Sequence, residues 1–414
     1  MRIPLLCLSI ALLAGGTRAG DNWPEFRGPT ADGQARATNL ALTWSETKNV
    51  RWKTAIHDRG WSSPVVWGKQ VWVTTATRDG TRLFAVCVDR DTGKVTHDVK
   101  VFDVSKPETI SKLNSYASPT PAIEPGRVYV HFGTCGTACL ATDSGKVLWT
   151  RRDLNCDHHM GPGASPILCG DLLIFPMDGC DVQYVVALDK ATGRTVWKTD
   201  RSVDYRQVHR YTRKAFATPA IITVAGRKQL IAPCSRAVIA YDVRTGKELW
   251  KVRHPGWSMV ARPLFGGGVL FVVIDYDHPQ LWAIRPDGTG DVTGTHVVWK
   301  IPRGKRIPAN ASQILIGERL FMVSEKGTAS CVEAATGRFV WRQRLGGQYW
   351  SSPIAVAGRI YFFRYDGLCT VIAPGEEFKQ LAANRLDGRM MASPAVAGEA
   401  LFPRTETHLY RIEN

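Results

Sequence analysis

The sequence predicts an all-β chain folded as an eight-bladed β-propeller of four-stranded antiparallel blades. Three observations lead there. A pair made of a small or polar residue followed, with one exception, by proline recurs eight times, a glycine-turned pair of apolar runs follows each, and a Thr-Gly turn then launches a strand carrying tryptophan. The pairs are Ser63-Pro64, Ser118-Pro119, Ser165-Pro166, Thr218-Pro219, Arg262-Pro263, Ser312-Gln313, Ser352-Pro353 and Ser393-Pro394. From first to last is 330 residues over seven intervals, about 47 per repeat, which is the length of one four-stranded blade.

Within a repeat the strands follow from the residues. Val65 to Trp67 and Val71 to Val73 flank a Gly68 turn, and Ile354 to Val356 and Ile360 to Phe362 flank Gly358, so each repeat opens with a hairpin. A third apolar run ends in an acidic residue and a Thr-Gly turn, as at Asp189, Thr192 and Gly193 before Trp197. Glycine accepts the positive φ of that turn, and the short polar side chains bond the nearby amides. The tryptophans at 52, 149, 197, 250, 299 and 341 then read as blade-to-blade packing residues, with His97 taking that place in the first full blade.

The ends complete each other. The last repeat supplies three strands, and Val50 to Lys53 is an orphan tryptophan strand ahead of the first repeat. Pairing the two closes the ring and removes the exposed strand edges of an open array. This gives a propeller over residues 45–414 and an N-terminal extension over 20–44, lying across the ring or partly mobile.

Arg2 precedes an apolar run from Ile3 to Ala14, and Thr17-Arg18-Ala19 fits a small-x-small cleavage site. Residues 1–19 are therefore expected to be a signal peptide, with the mature chain exported to the periplasm or secreted. Cys7 lacks the small residues that precede a lipidated cysteine, and no run reaches the ~20 apolar residues of a membrane-spanning helix, so neither an anchor nor a transmembrane segment is expected.

The formal net charge is +16, which favours anionic partners and allows peripheral contact with an anionic envelope surface. No basic run or recognition motif points to nucleic acid. Ten cysteines become nine on cleavage. An odd number leaves one thiol free or paired elsewhere, and Cys135, Cys139, Cys156, Cys169 and Cys180 fall in consecutive repeats where a disulfide is expected in an oxidising compartment.

On the recurring pattern of Ala-x-Asp, Thr-Gly-Lys and Trp, the chain resembles the pyrroloquinoline-quinone-like β-propeller repeat family over residues 45–414. Trp23-Pro24-Glu25-Phe26-Arg27-Gly28-Pro29 also resembles the opening of many exported members. The resemblance implies the propeller fold and leaves two kinds of activity open: quinone-dependent dehydrogenases that bind pyrroloquinoline quinone with calcium, and a non-enzymatic scaffold of outer-membrane protein assembly. The sequence departs from the dehydrogenases, because it holds no adjacent cysteine pair, no compact acidic calcium loop and no Cys-x-x-Cys-His haem site.

Propeller ligands meet the loops that precede each inner strand. Two residues before the aligned Ser/Thr stand Trp61, Tyr116, Phe216 and Trp350, an aromatic set expected around one mouth of the central channel, with Arg210, Arg262, Arg389, His158 and His159 about it. Aromatic faces and guanidinium groups suit carboxylated, planar or carbohydrate ligands. Cys156, Asp157 and His158 form the densest run of metal-binding side chains, although adjacent histidines on an extended chain point opposite ways. Asp178, Asp181, Asp275, Asp277 and Asp366 fall on hairpins of the same face without forming a recognisable acid-base pair. No nucleophile elbow, phosphate loop or zinc-protease motif is present. The resulting expectation is an exported, non-enzymatic scaffold binding a protein, glycan or small acidic ligand and requiring no cofactor, with a quinoprotein oxidoreductase as the alternative.

Overall fold

In the computed structural model, which describes residues 22–414, eight β-sheets of sequential strands form eight propeller blades. The expected signal peptide lies outside the described residues. The first blade runs Val65–Trp67, Gln70–Ala76, Arg82–Asp89 and Val95–Asp103, each strand antiparallel to the next. Six blades repeat this meander, and the fourth gains a two-residue fifth strand, Gly290–Asp291. The last sheet takes its outer strand from the other end of the chain, because Val50–Ala55 pairs antiparallel with His408–Ile412. Among the described residues, helical structure is confined to two short 3-10 turns, Gly133–Cys135 and Arg210–Thr212. No described helix is long and apolar enough to cross a membrane.

The tryptophans join the blades as their spacing predicts. Trp149 Nε1 donates to Lys190 O at 3.0 Å, and Trp197 Nε1 to Val243 O at 3.0 Å, each reaching the Thr-Gly turn of the following blade. A Cβ on Gly193 would sit 2.7 Å from the Trp149 ring, and φ there is +73°, so both the turn and the ring seated on it require glycine. Asp189 organises that turn by accepting from Thr192 N and Oγ1 at 2.8 and 2.7 Å. His97 occupies the tryptophan position by register, opposite Cys87 as Trp149 is opposite Cys139. Trp250 departs from the pattern. Its Nε1 bonds Gln229 Oε1 within its own blade at 2.8 Å and not a turn of the following blade.

The extension crosses the ring. Trp23 pairs with Val66 on the first inner strand, Pro24 O accepts from Ile123 N on the second, and on the seventh Ala355 O accepts from Ala35 N while Ala355 N donates to Gly33 O. Buried Arg27 donates to Gln313 O at 2.6 Å and Pro353 O at 3.3 Å, and burial lowers its pKa to about 9. Trp44 then stacks on Tyr361 at 6.0 Å. One end of the central channel is thereby closed by residues of the extension.

Candidate functional site

The recurrent hydroxyls form a ring around the channel. Ser63 N–H donates to Thr120 Oγ1, Thr120 N–H to Ser165 Oγ and Ser165 N–H to Thr218 Oγ1, at 2.9–3.0 Å. The series resumes from Arg262 N–H to Ser312 Oγ, then to Ser352, Ser393 and back to Ser63 Oγ. It breaks once, between Thr218 and Arg262, where the fifth blade has no hydroxyl to offer. The member from the second blade is Thr120, not the Ser118 that sequence alignment selects: Thr120-Pro121 directly precedes the inner strand Ala122–Glu124, and the extra Ser-Pro pair shifts the register by two.

Two residues ahead of each ring position stand Trp61, Ser118, Gly163, Phe216, Val260, Asn310, Trp350 and Met391, and all eight line a single funnel-shaped cavity of about 470 Å³. Six ring hydroxyls and Phe26 of the extension also line it. With the extension across the other end, the funnel is blind and opens on the loop face.

Of the residues expected at the mouth, Trp61, Phe216, Trp350 and His159 line this cavity, and the other five do not. Trp61 is buried, with Nε1 donating to Leu113 O at 2.9 Å, whereas Trp350 is half-buried. His159 holds a positive φ of 59° and stacks on Tyr211 at 4.2 Å. Tyr116 is displaced by the two-residue register error: its ring packs against Gly80 and its hydroxyl donates to Glu108 O. His158 is buried behind the wall against Gly133, and burial lowers its pKa to about 4. Arg210 is exposed, paired with Asp157 at 2.7 Å, its guanidinium 5.2 Å from the outer rim residue Tyr211. Arg389 is exposed and paired with Glu406 at 2.9 Å. Arg262 is fully buried: Nε bonds Pro219 O at 3.0 Å, Nη2 bonds Glu25 Oε1 at 2.7 Å and Nη1 donates to Phe26 O.

Cys156, Asp157 and His158 do not converge as a metal site. The Cys156 sulfur is 3.5 Å from the His158 Nε2, but the Asp157 carboxylate turns away to Arg210. Burial raises the Cys156 thiol well above its ordinary pKa, which opposes the thiolate a metal would need. No cluster of three or more such residues able to hold a metal ion occurs among the described residues. The expected disulfide is also absent: all nine described cysteines are free, and eight of them are buried. Six lie on strands, as Cys139 does opposite Trp149, while Cys135 is in a 3-10 turn and Cys156 and Cys180 are in loops; the buried ones fill space as small apolar groups.

The positional rule missed Trp257, Tyr276 and Asp277, which also line the funnel. Trp257 stands five residues before its ring position instead of two, and the other two lie on the hairpin of the fifth blade. Lys214 sits in the same wall, buried, its Nζ 5.1 Å from the Trp257 ring centre and donating to Tyr211 O. Burial lowers its pKa. Around the opening, Leu113, Met160, Tyr211 and Tyr276 are 37–44% exposed. They are four of ten large hydrophobic residues exposed among the described residues, and five of the others lie on outer strands of separate blades. Exposed apolar surface is therefore concentrated at this mouth.

A family model described as outer membrane protein assembly factor BamB matches residues 34–179, 181–300 and 291–390. The chain belongs to that family. It is 26% identical over 186 residues to outer membrane protein assembly factor BamB of Francisella salina, across 44% of this chain and 31% of that one. It is 28% identical over 159 residues to methanol dehydrogenase (cytochrome c) subunit 1 of Methylobacterium organophilum, across 33% of this chain and 23% of that one. The matched stretches thus span less than a third of either curated relative. Among solved structures, a europium-containing methanol dehydrogenase superposes with a TM-score of 0.73 at 11% identity, covering 94% of this chain and 91% of that one, which shows the shared propeller fold.

The funnel of this BamB-family propeller can be tested against the quinone of the dehydrogenases. Pyrroloquinoline quinone is planar, bears three carboxylates and chelates a metal through oxygen and nitrogen. Among the described lining residues Lys214 is the one lysine or arginine and Asp277 the one carboxylate. Asn310 is engaged with Glu325 at 2.7–3.0 Å, and the guanidinium of Arg262 is committed below the floor. One cation and one carboxylate do not match the three carboxylates of the quinone and the oxygen ligands its metal needs.

Proposed function

We propose that the chain is an exported, non-enzymatic binding propeller that takes a polypeptide segment of a partner protein into the blind funnel on its loop face. The observation that carries this reading is the mouth itself: four exposed apolar side chains surround an opening whose walls are Trp61, Phe216, Trp257 and Trp350. Contiguous exposed apolar surface marks interaction sites, and aromatic side chains in a concave pocket are the usual anchors for a partner's side chains. The family match supports a protein partner over a glycan or a free small anion.

The test is photocrosslinking in intact producing cells, with a benzophenone side chain placed at Met160 or Tyr211, and at Val298 on an outer strand as control. Discrete polypeptide adducts from the mouth positions alone are the expected result. Equal adducts from Val298 would remove the support for the funnel. The oxidoreductase alternative is tested by titrating purified protein with pyrroloquinoline quinone and calcium: stoichiometric binding with dye reduction would replace the scaffold reading.

A further inference from the structure

The funnel floor has a hydrogen-bonding polarity that the hydroxyl ring imposes. Ser63, Thr120, Ser165, Thr218, Ser352 and Ser393 line it, and each oxygen accepts a backbone N–H from a neighbouring blade. No hydroxyl of the six donates its own proton to a protein acceptor among the described residues. A hydroxyl has one proton to give, and a hydroxyl already accepting a bond becomes a better donor. The floor therefore presents a set of donors in want of acceptors, and the Lys214 ammonium adds a cation in the adjoining wall. Against this stands a single lining carboxylate, Asp277.

From that imbalance we infer that the floor is a carboxylate subsite. The entering segment carries a carboxylate whose oxygens accept from ring hydroxyls and from Lys214 Nζ, while a neighbouring apolar side chain packs against Trp61, Phe216, Trp257 and Trp350. The positive net charge, which stays strongly positive without Arg2 and Arg18, draws such a segment toward the chain. Charge-assisted bonds of this type are about twice as strong as neutral ones, so the carboxylate decides which segment is retained and the aromatic wall supplies the contact area. The inference rests on the polypeptide reading above and adds the chemistry that the funnel recognises.

Calorimetric titration of the whole mature chain with three probes tests it. The probes are N-acetyltryptophan, its primary amide, and that amide extended by one aspartate amide, which moves the carboxylate from a chain terminus to a side chain. At least one carboxylate probe should bind about tenfold or more tightly than the amide, and which one does so identifies the source. Lys214→Met and Thr218→Val should each remove most of that preference. Thr218→Val also deprives Ser165 N–H of its acceptor, so Lys214→Met, which leaves the ring intact, keeps the test valid if the former unfolds. Equal binding of acid and amide, or a preference that survives Lys214→Met, overturns the carboxylate subsite while leaving the funnel as a binding site. No saturable binding of either acid up to about 10 mM also overturns it, and the photocrosslinking then judges the polypeptide reading on its own.

Discussion

Arg262 Nη2 donates to Glu25 Oε1 at 2.7 Å, joining the blade that lacks a ring hydroxyl to the segment that closes the channel. The Arg262 side chain is 1% exposed and that of Glu25 16%. The same guanidinium bonds Pro219 O and Phe26 O, so it spans the gap in the hydroxyl ring and fastens the floor of the funnel. Removing one partner of a buried pair costs about 3–5 kcal/mol because the other is left uncompensated. Arg262→Met should cost about 3 kcal/mol, toward the lower end because Glu25 keeps some solvent, as read by urea unfolding. Adding Glu25→Gln should recover part of it. A loss below about 1 kcal/mol would mean that the extension is not latched here.

The two tryptophans of the mouth should behave differently. Trp61 is 6% exposed and bonds Leu113 O, while Trp350 is half-buried and its Nε1 bonds no partner among the described residues. Truncating a buried tryptophan costs about 3–5 kcal/mol. Trp61→Ala should therefore lower stability by about that amount, and Trp350→Ala by about 1 kcal/mol or less, with weakened probe binding. Denaturant midpoints of the two variants compare them directly. Equal losses would make Trp350 a wedge between blades.

Acid should destabilise the fold through its buried histidines. Burial lowers the pKa of His131 to about 3, of His158 to about 4 and of His254 to about 3, against 6.5 for an ordinary histidine. Above pH 6.5 both folded and unfolded chains hold them neutral, and they add no pH dependence. As pH falls below 6.5 the unfolded chain gains protons that the folded chain refuses. Stability should then fall by up to about 1.4 kcal/mol per pH unit per histidine until the folded pKa is reached. His158→Gln should flatten the slope between pH 6 and 4 by about one proton. An unchanged slope would place His158 in a charged state in the folded protein.

Thiol counting tests the cysteine assignment. Cys169 is partly exposed and the other eight described cysteines are buried. Burial also raises the Cys87 thiol to about 12 and the Cys135 thiol to about 11, which keeps them unreactive. A disulfide reagent should modify about one thiol in the native mature chain and nine after denaturation without reductant. Seven after denaturation would reveal one disulfide.

The eight repeats were legible because a blade is mostly local. A hairpin needs an apolar alternation and a glycine turn within a few residues, and Val65 to Val73 contains both. The tryptophan positions were legible for the same reason, down to His97 standing in for one of them. The mouth was read less well. A two-residue slip at Ser118-Pro119-Thr120-Pro121 put Tyr116 where Ser118 belongs, since two adjacent X-Pro pairs offer the same local signal and only the strand that follows Pro121 chooses between them.

Arg262 marks the boundary most sharply. Its sequence position placed it among ligand-facing cations, yet it is turned away from the funnel and bonded to the extension 237 residues earlier in the chain. No local rule reports such a contact, because its energy depends on a partner brought near only when the ring closes. The sequence by itself determined the repeat, the blade number and the packing tryptophans, all of which depend on neighbours within one repeat or the next. The tertiary structure alone decided which side chains face the axis, which hydroxyls are left with a proton to donate, and that Phe26 closes the channel. These depend on the convergence of eight blades about one axis, a geometry no single repeat contains.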